Sequence, residues 1–221
     1  MRIKELTLLT NNLTGTKNFY GAKLGLHPVE EHSDFIVFRT GSTLLTFRLS
    51  AIDGPVYHIA FNIPHNKITE ALLWCEKHRL HLLSYESKEL VDFPNWNAKS
   101  IYFTDNGGNI LEFIARYDLP NAISTHFGPE HILNVSETGV VVDNVPAFAE
   151  QFSKQYGVPY YEKQPAGPNF TVLGDAEGLF IVVPEKRKWF PTSVLSRKFP
   201  LQLIFEQGGR DFVFSAGLQV G

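Results

Sequence analysis

The sequence predicts an α+β fold assembled from repeats of one β-α-β-β-β unit, and three observations carry that expectation. A strand-like stretch running into a helix-like stretch recurs from Glu5 to Gly25, from His58 to Arg79 and from Glu137 to Gly157, over 20, 21 and 20 residues. Recurrence at a fixed spacing marks a repeated supersecondary unit. Short apolar runs bounded by Gly, Pro, Asn and Asp follow the first two helices, as strands bounded by turns do. Apolar residues make up 43% of the 221, with 18 Phe among them, enough to bury a sizeable core.

In the first unit, residues 5–10 partly alternate like a half-buried strand, and a short helix through Lys17-Asn18-Phe19-Tyr20 stops at Leu24-Gly25. Strands are expected at 28–31, 35–39 and 44–49, the last two joined by a Thr40-Gly41-Ser42 turn. The second unit opens with a strand at 56–63, followed by an amphipathic helix that aligns Ile68, Leu72, Cys75 and Arg79 on one face. Its later strands are expected at 82–85, 100–104 and 109–115, with Asp105-Asn106-Gly107-Gly108 as a hairpin turn. The third unit opens at Gly139-Val140-Val141-Val142, places Pro146 at a first helical position, and stops its helix at Gly157. Its last strand is expected at 179–183, and 201–206 and 211–215 read as two further strands with no helix between them. Pro120, Gly128 and Pro129 interrupt any periodicity after Arg116. The expected organisation is therefore a pair of modules over 1–117 (1–52 and 53–117), a linker at 118–131, and a third module with a truncated fourth over 132–221.

Charge and composition exclude several classes. Twenty Lys and Arg against 23 Asp and Glu leave a net charge of −3, without the positive excess that grips a phosphate backbone, so nucleic acid is not an expected partner. The single Cys75 excludes an intramolecular disulfide and fits a reducing compartment. No apolar run approaches the roughly 20 residues of a membrane span, and Arg2, Lys4 and Glu5 stand where a signal peptide needs its apolar core. The expectation is a soluble, cytoplasmic protein with a small-molecule substrate and no membrane partner, its state open between monomer and homo-oligomer. Nucleophile-elbow, dinucleotide-fingerprint and P-loop motifs do not occur.

The stretch from Glu5-Leu-Thr-Leu through Phe19-Tyr20 and Leu24-Gly25, then His58-Ile-Ala-Phe, then Tyr102-Phe103-Thr104-Asp105 through Gly108-Asn109-Ile-Leu-Glu112, resembles the vicinal oxygen chelate superfamily. That group includes glyoxalase I, extradiol dioxygenases and fosfomycin- and bleomycin-resistance proteins. The resemblance is good over 1–117 and looser over 132–184. It implies tandem βαβββ modules forming a cup-shaped mixed sheet around a site, with a third, less complete module. It also implies metal ligands on the first strand of each module and on the last strand of one or both.

Carried onto this sequence, those positions are Glu5, His58 and Glu112, with Thr46, a poor ligand, at the matching place in the first module. Glu5 stands where the family more often has His. One imidazole and two carboxylates suit a divalent ion such as Fe, Mn, Ni or Zn, and Glu112 is the expected catalytic carboxylate. Alternation adds independent weight: Ile110 and Ile114 share a strand face with Glu112, and a carboxylate there is costly unless paired or ligated. Three other readings stay open, namely Glu5 as a solvated strand-end charge, Glu112 paired with Arg48, and His58 as a core histidine. The expected substrate pocket adds Thr46, Arg48, Tyr57, Asn62, Phe93, Trp96 and Tyr102. Glu137 matches Glu5 in type, but the third module's last strand carries no carboxylate or imidazole, so that region is expected to be structural or interface-forming. The basic stretch Glu185-Lys186-Arg187-Lys188-Trp189 is read as a solvated loop or an anion-receiving one. The expected function is a metal-dependent enzyme of the glyoxalase or extradiol dioxygenase type. The alternative is a non-catalytic small-molecule binding protein.

Overall fold

Strands buried on one face and strands buried on both faces sort the molecule into two different sheets. The computed structural model describes residues 1–217. The first unit comprises β1 (Arg2–Thr10), α1 (Leu13–Lys17, continued by a wider π turn over Asn18–Lys23), β2 (Pro28–Glu31), β3 (Phe35–Thr40) and β4 (Thr43–Leu49). The second comprises β5 (His58–Ile63), α2 (Ile68–Lys77), β6 (His81–Leu83), β7 (Leu90–Phe93), β8 (Ala98–Thr104) and β9 (Ile110–Arg116). The third has β10 (Asn134–Val142), α3 (Val145–Tyr156), β11 (Thr171–Asp175) and β12 (Gly178–Pro184), and β13 (Leu201–Gln207) and β14 (Arg210–Ala216) close the chain's described part. The last four residues of the expected 132–221 region lie outside the described residues.

Each unit joins its first and last strands in parallel: β1 with β4, β5 with β9, and β10 with β12. A parallel pair needs a crossover, and the helix of each unit supplies it. The units then combine across two antiparallel seams. β1 pairs with β13, giving a six-stranded sheet in the order β14-β13-β1-β4-β3-β2. β5 pairs with β10, giving an eight-stranded sheet in the order β11-β12-β10-β5-β9-β8-β6, with β7 also on β8. The expected partnership of the first two modules is therefore corrected: the second module shares its cup with the third, and the first pairs with the truncated fourth. The edge of β1 that the second module would need is occupied by β13.

The backs of both sheets and the helices enclose one apolar core, with Leu6, Phe47 and Phe205 from the first sheet, Phe61, Phe113 and Phe180 from the second, and Ala71 and Phe152 from the helices. No domain boundary cuts that core. Residues 118–131, expected as a linker, are docked beside α2: Glu70 accepts from Phe127 N at 2.9 Å, and Asn121 accepts from His65 N at 2.8 Å. At Gly41, φ is +57° and an added Cβ would stand 1.9 Å from the Leu133 carbonyl, so only glycine lets the β3–β4 turn approach the start of β10.

A polar clamp ties the first module to the second. Tyr20 donates to Asp105 Oδ2 at 2.8 Å, and Asp105 also accepts from Asn109 Nδ2 and from the backbone of Gly107 and Asn109. Burial still holds the Asp105 carboxyl above its ordinary range despite these donors. Tyr20→Phe should therefore lower the unfolding free energy by about 2 kcal/mol in urea titrations; a change below about 0.5 kcal/mol would leave the clamp without a stabilising role. Cys75 lies on the buried face of α2, where burial pushes its thiol up to about 12. It should react with a thiol reagent in denaturant and resist it in the native protein.

Candidate metal centre

β10, β5 and β9 lie side by side in the middle of the larger sheet, and their alternation sends His58, Glu112 and Glu137 to the same concave face. In the register, Ala60 faces Glu112 on one side and Glu137 on the other. His58, two residues earlier on the same face, is thus a diagonal neighbour of both carboxylates. A bulge between Val135 and Glu137 sets the second of these pairings. His58 Nε2 lies 3.6 Å from Glu112 Oε2 and 3.7 Å from Glu137 Oε2, and all three side chains are buried.

The imidazole is oriented by its other nitrogen. His58 Nδ1 donates to the Ile110 carbonyl at 3.3 Å, which turns Nε2 toward the carboxylates. Glu137 is bonded by Arg116, whose Nη2 donates to Oε1. Arg116 is itself fully buried, donates from Nε to Asn62 Oδ1 at 3.2 Å, and lies 5.5 Å from the Trp96 ring. Glu112 has no such cation. Burial, and then the Glu137 charge, raise its pKa to about 7. Burial disfavours the imidazolium, but Glu137 and Glu112 outweigh it and raise His58 above its ordinary value. Two buried carboxylates face one guanidinium, bonded to Glu137 alone, so ionising both leaves a negative charge that is costly without a counter-charge.

The residues fit a divalent cation. The ligand atoms lie within 4.8 Å of one another, and bonds near 2.1 Å place neighbouring ligands roughly 3.0–3.5 Å apart. A small contraction of the 3.6 and 3.7 Å separations brings them into that range. Each half of the cup presents equivalent positions: His58 matches Glu137, and Glu112 opposite Ala60 matches Ile181 opposite Gly139. Ile181 offers no donor, so protein ligands come from three of four equivalent places.

A cavity of about 230 Å³ opens above the three residues, walled by Phe93, Trp96, Tyr102, Phe170 and Phe190. Trp96 is oriented by Gln164, which accepts from its Nε1 at 3.2 Å. Burial and the nearby Glu112 and Glu137 charges push the Tyr102 phenol well up, so it stays protonated as a donor. The roof is the hairpin that contains the basic stretch. Ser196 Oγ donates to the Pro184 carbonyl at 2.7 Å and accepts from Arg187 N at 3.0 Å, and Trp189 N donates to the Val194 carbonyl at 2.8 Å.

No family model matches the sequence, and no curated protein does. Among solved structures, one described as "putative dioxygenase from Bacillus subtilis subsp. subtilis str. 168" has a TM-score of 0.61 at 16% identity, over 83% of this chain and 63% of its own. The likeness to the Bacillus protein is one of fold. This chain spans less than two thirds of the Bacillus protein's length. Lactoylglutathione lyase from Agrobacterium tumefaciens has a TM-score of 0.43 at 20% identity, over 51% of this chain and 91% of its own. A glyoxalase/bleomycin resistance protein/dioxygenase from Nocardioides has a TM-score of 0.44 at 22% identity, over 58% and 90%.

Within this two-sheet fold, the positions expected from sequence divide between the two sheets. His58 and Glu112 come together, and their third companion is Glu137. Glu5 is exposed on β1 of the other sheet, opposite Leu44 and Ile204, and is not part of the centre. Thr46 and Arg48 lie on that same sheet, and Arg48 stands 3.8 Å from Asp34, with Glu112 in the other sheet. Tyr57 donates to the Pro200 carbonyl at 2.7 Å and is outside the cavity, and Asn62 lies beneath it as the partner of Arg116. Phe93, Trp96 and Tyr102 line the cavity. Sequence reasoning missed Arg116, although Glu112, Ile114 and Arg116 follow one alternation and share a face.

Gly139, a weak residue for a strand, is explained by the roof. A Cβ there would stand 2.5 Å from the Trp189 ring, so the glycine makes room for that ring above β10. Gly139→Ala should cost about 1–3 kcal/mol and shift the Trp189 contribution to fluorescence. Unchanged stability and emission would show that Trp189 does not rest on Gly139.

Proposed function

We propose that the protein is a divalent-metal-dependent enzyme of the glyoxalase or dioxygenase type, acting on a small substrate with neighbouring oxygens in the cup of the second and third modules. The observation that carries this reading is the buried set of His58, Glu112 and Glu137, with ligating atoms within 4.8 Å of one another at the floor of a cavity. The donor set is one imidazole and two carboxylates, suited to Fe, Mn, Ni or Zn. A bound divalent ion supplies Lewis acidity for an enolate or catecholate, or dioxygen chemistry if it is iron.

The chain's own groups prepare that chemistry. Ile110 fixes the His58 tautomer, and Arg116 holds Glu137 in place. Glu112, without a fixed cation, is the carboxylate able to release a ligand position or take up a proton, and Tyr102 stands opposite it in the register as a neutral donor. The aromatic wall excludes water around the reacting atoms. A non-catalytic binding protein remains the second reading, favoured by the same wall, which would hold an apolar ligand with or without an ion.

Metal analysis separates the two. Protein purified without a tag or chelator should carry about one divalent ion per chain. Glu112→Ala and Glu137→Ala should each lose it while Glu5→Ala keeps it, and full occupancy in either of the first two would move the ion elsewhere. Ligand binding unchanged after chelation, with no turnover of catechols, diols or α-hydroxy carbonyl compounds under air, would favour the binding protein.

The metal-free protein should also show a distinctive pH dependence. Glu112 and His58 both have raised values in the fold, so the native state holds their protons more tightly than the unfolded chain. Their contribution to stability is complete at low pH and is lost as pH rises through about 7 for Glu112. Calorimetry of chelator-treated protein should find the melting temperature falling between roughly pH 5 and 8, and the accompanying loss of unfolding free energy should be smaller in Glu112→Gln by on the order of 1–3 kcal/mol. Parallel curves for the two proteins would contradict the raised Glu112 value.

A further inference from the structure

The roof of the cup holds a cation that the proposed chemistry does not use. Arg187 is the one guanidinium among the cavity's described lining residues, and no carboxylate there pairs with it. Its backbone is pinned on both sides by Ser196, which accepts from Arg187 N at 3.0 Å and donates from its own N to the Arg187 carbonyl at 2.7 Å. Its side chain lies 4.7 Å from the centre of the Phe170 ring, another wall residue, and makes one long hydrogen bond of 3.4 Å to the Lys188 carbonyl. Lys186, Lys188 and Glu185 beside it are exposed. A positioned guanidinium over an aromatic face, half removed from water and without an anion, is a recognition element for a carboxylate.

We propose that Arg187 binds the carboxylate of a single-ring substrate seated in this cup. The cavity sets the size: about 230 Å³ exceeds the roughly 150 Å³ that accommodates benzene in an engineered apolar site, leaving room for a ring with small substituents. The aromatic wall sets the shape, since Phe93, Trp96 and Phe190 present faces and edges to a flat ring. The charges set the orientation. Without an ion, Glu112 and Glu137 disfavour an anionic group beside them while Arg187 attracts it; with an ion held between them, the ring's neighbouring oxygens take the ion and the carboxylate is left to Arg187.

This inference takes the cup of the proposed enzyme as the substrate site, but its test does not require turnover. Benzoate and benzamide have nearly one shape and differ in charge, and because a carboxylate can itself ligate Zn²⁺, a benzoate preference counts for this site only as far as Arg187→Gln removes it. Their binding is followed by tryptophan fluorescence, which Trp96 and Trp189 report from the cavity, in the protein as purified and with added Zn²⁺, with metal content measured alongside. Benzoate should bind more tightly than benzamide in at least one of the two states. Arg187→Gln should weaken benzoate about tenfold and leave benzamide, metal content and melting temperature unchanged, and Arg187→Lys should retain part of the preference. Equal affinity for the two ligands in both states, no binding of either, or an equal loss of both in Arg187→Gln would overturn the assignment. The last of these outcomes would make Arg187 a stacking partner of Phe170. Absence of metal with the benzoate preference intact would refute the proposed enzyme and leave this site standing.

Discussion

Two carboxylates buried side by side are the constraint that organises the cup. Glu112 and Glu137 belong to strands on either side of β5, and each would favour solvent or a cation over the interior of a sheet. The fold answers half of that demand with Arg116, itself buried and therefore committed to Glu137 and Asn62. The other half is left to His58 and to protons. A buried ion pair of this kind is weak evidence of stabilisation, because desolvation offsets its attraction. The arrangement makes better sense as a site kept ready for a positive charge than as a device for holding the sheet together.

The two sheets divide the remaining work. The smaller one keeps an alternating pattern, with Glu5, Arg48, Gln202 and Asp211 exposed on one face while Leu6, Phe47, Leu203 and Phe205 pack into the core on the other. It is a half-buried wall that supports the core and, through Tyr20 and Asp105, the hairpin next to β9. The larger sheet is buried on both faces along β5 and β9, because the core lies behind it and the aromatic wall and roof hairpin lie in front. Only there can a polar residue be both shielded from water and reachable by a small ligand. No helix among the described residues is long and apolar enough to cross a membrane.

That contrast also explains what was legible in the sequence. Helix and strand order came from periodicity and turn residues, which are local, and the repeat spacing tied the units together. Partnership between units is not local: it depends on which strand edge meets which, and nearness in the chain favoured the wrong pair. A signal was present in composition. Residues 2–5 and 201–207 carry Arg, Lys, Gln and Glu at alternate or adjacent places, the mark of a sheet with one wet face. By contrast His58-Ile-Ala-Phe-Asn-Ile and Val135-Ser-Glu-Thr-Gly-Val have no Lys or Arg, as strands covered on both sides require. Read that way, Glu5 falls on the wet face and Glu137 in the covered strand. Arg116 escaped because a basic residue at a strand end looks like a solvated terminus until a buried acid is found for it. The strands β7 and β11 were not expected, being short stretches without strong alternation.

The two halves of the cup share one register but not one chemistry. Where the second module places Glu112 opposite Ala60, the third places Ile181 opposite Gly139, and the space left by that glycine is taken by the Trp189 ring. Ligating side chains therefore lie on β9, β5 and β10, and β12 presents an apolar surface continuous with the roof. A fourth donor would occupy one more position on an ion that takes about five or six, so three protein ligands leave more of its coordination sphere to a substrate. Replacing one donor by Ile181, and one side chain by the space beneath Trp189, turns that half of the cup into a wall against which an organic ligand can lie. On the proposed reading, the divergence of the third module from the second is what converts an ion-binding cup into a substrate site: His58 and Glu112 of the second module and Glu137 of the third hold the charge chemistry, and the rest of the third module gives the ring a surface and a direction of approach.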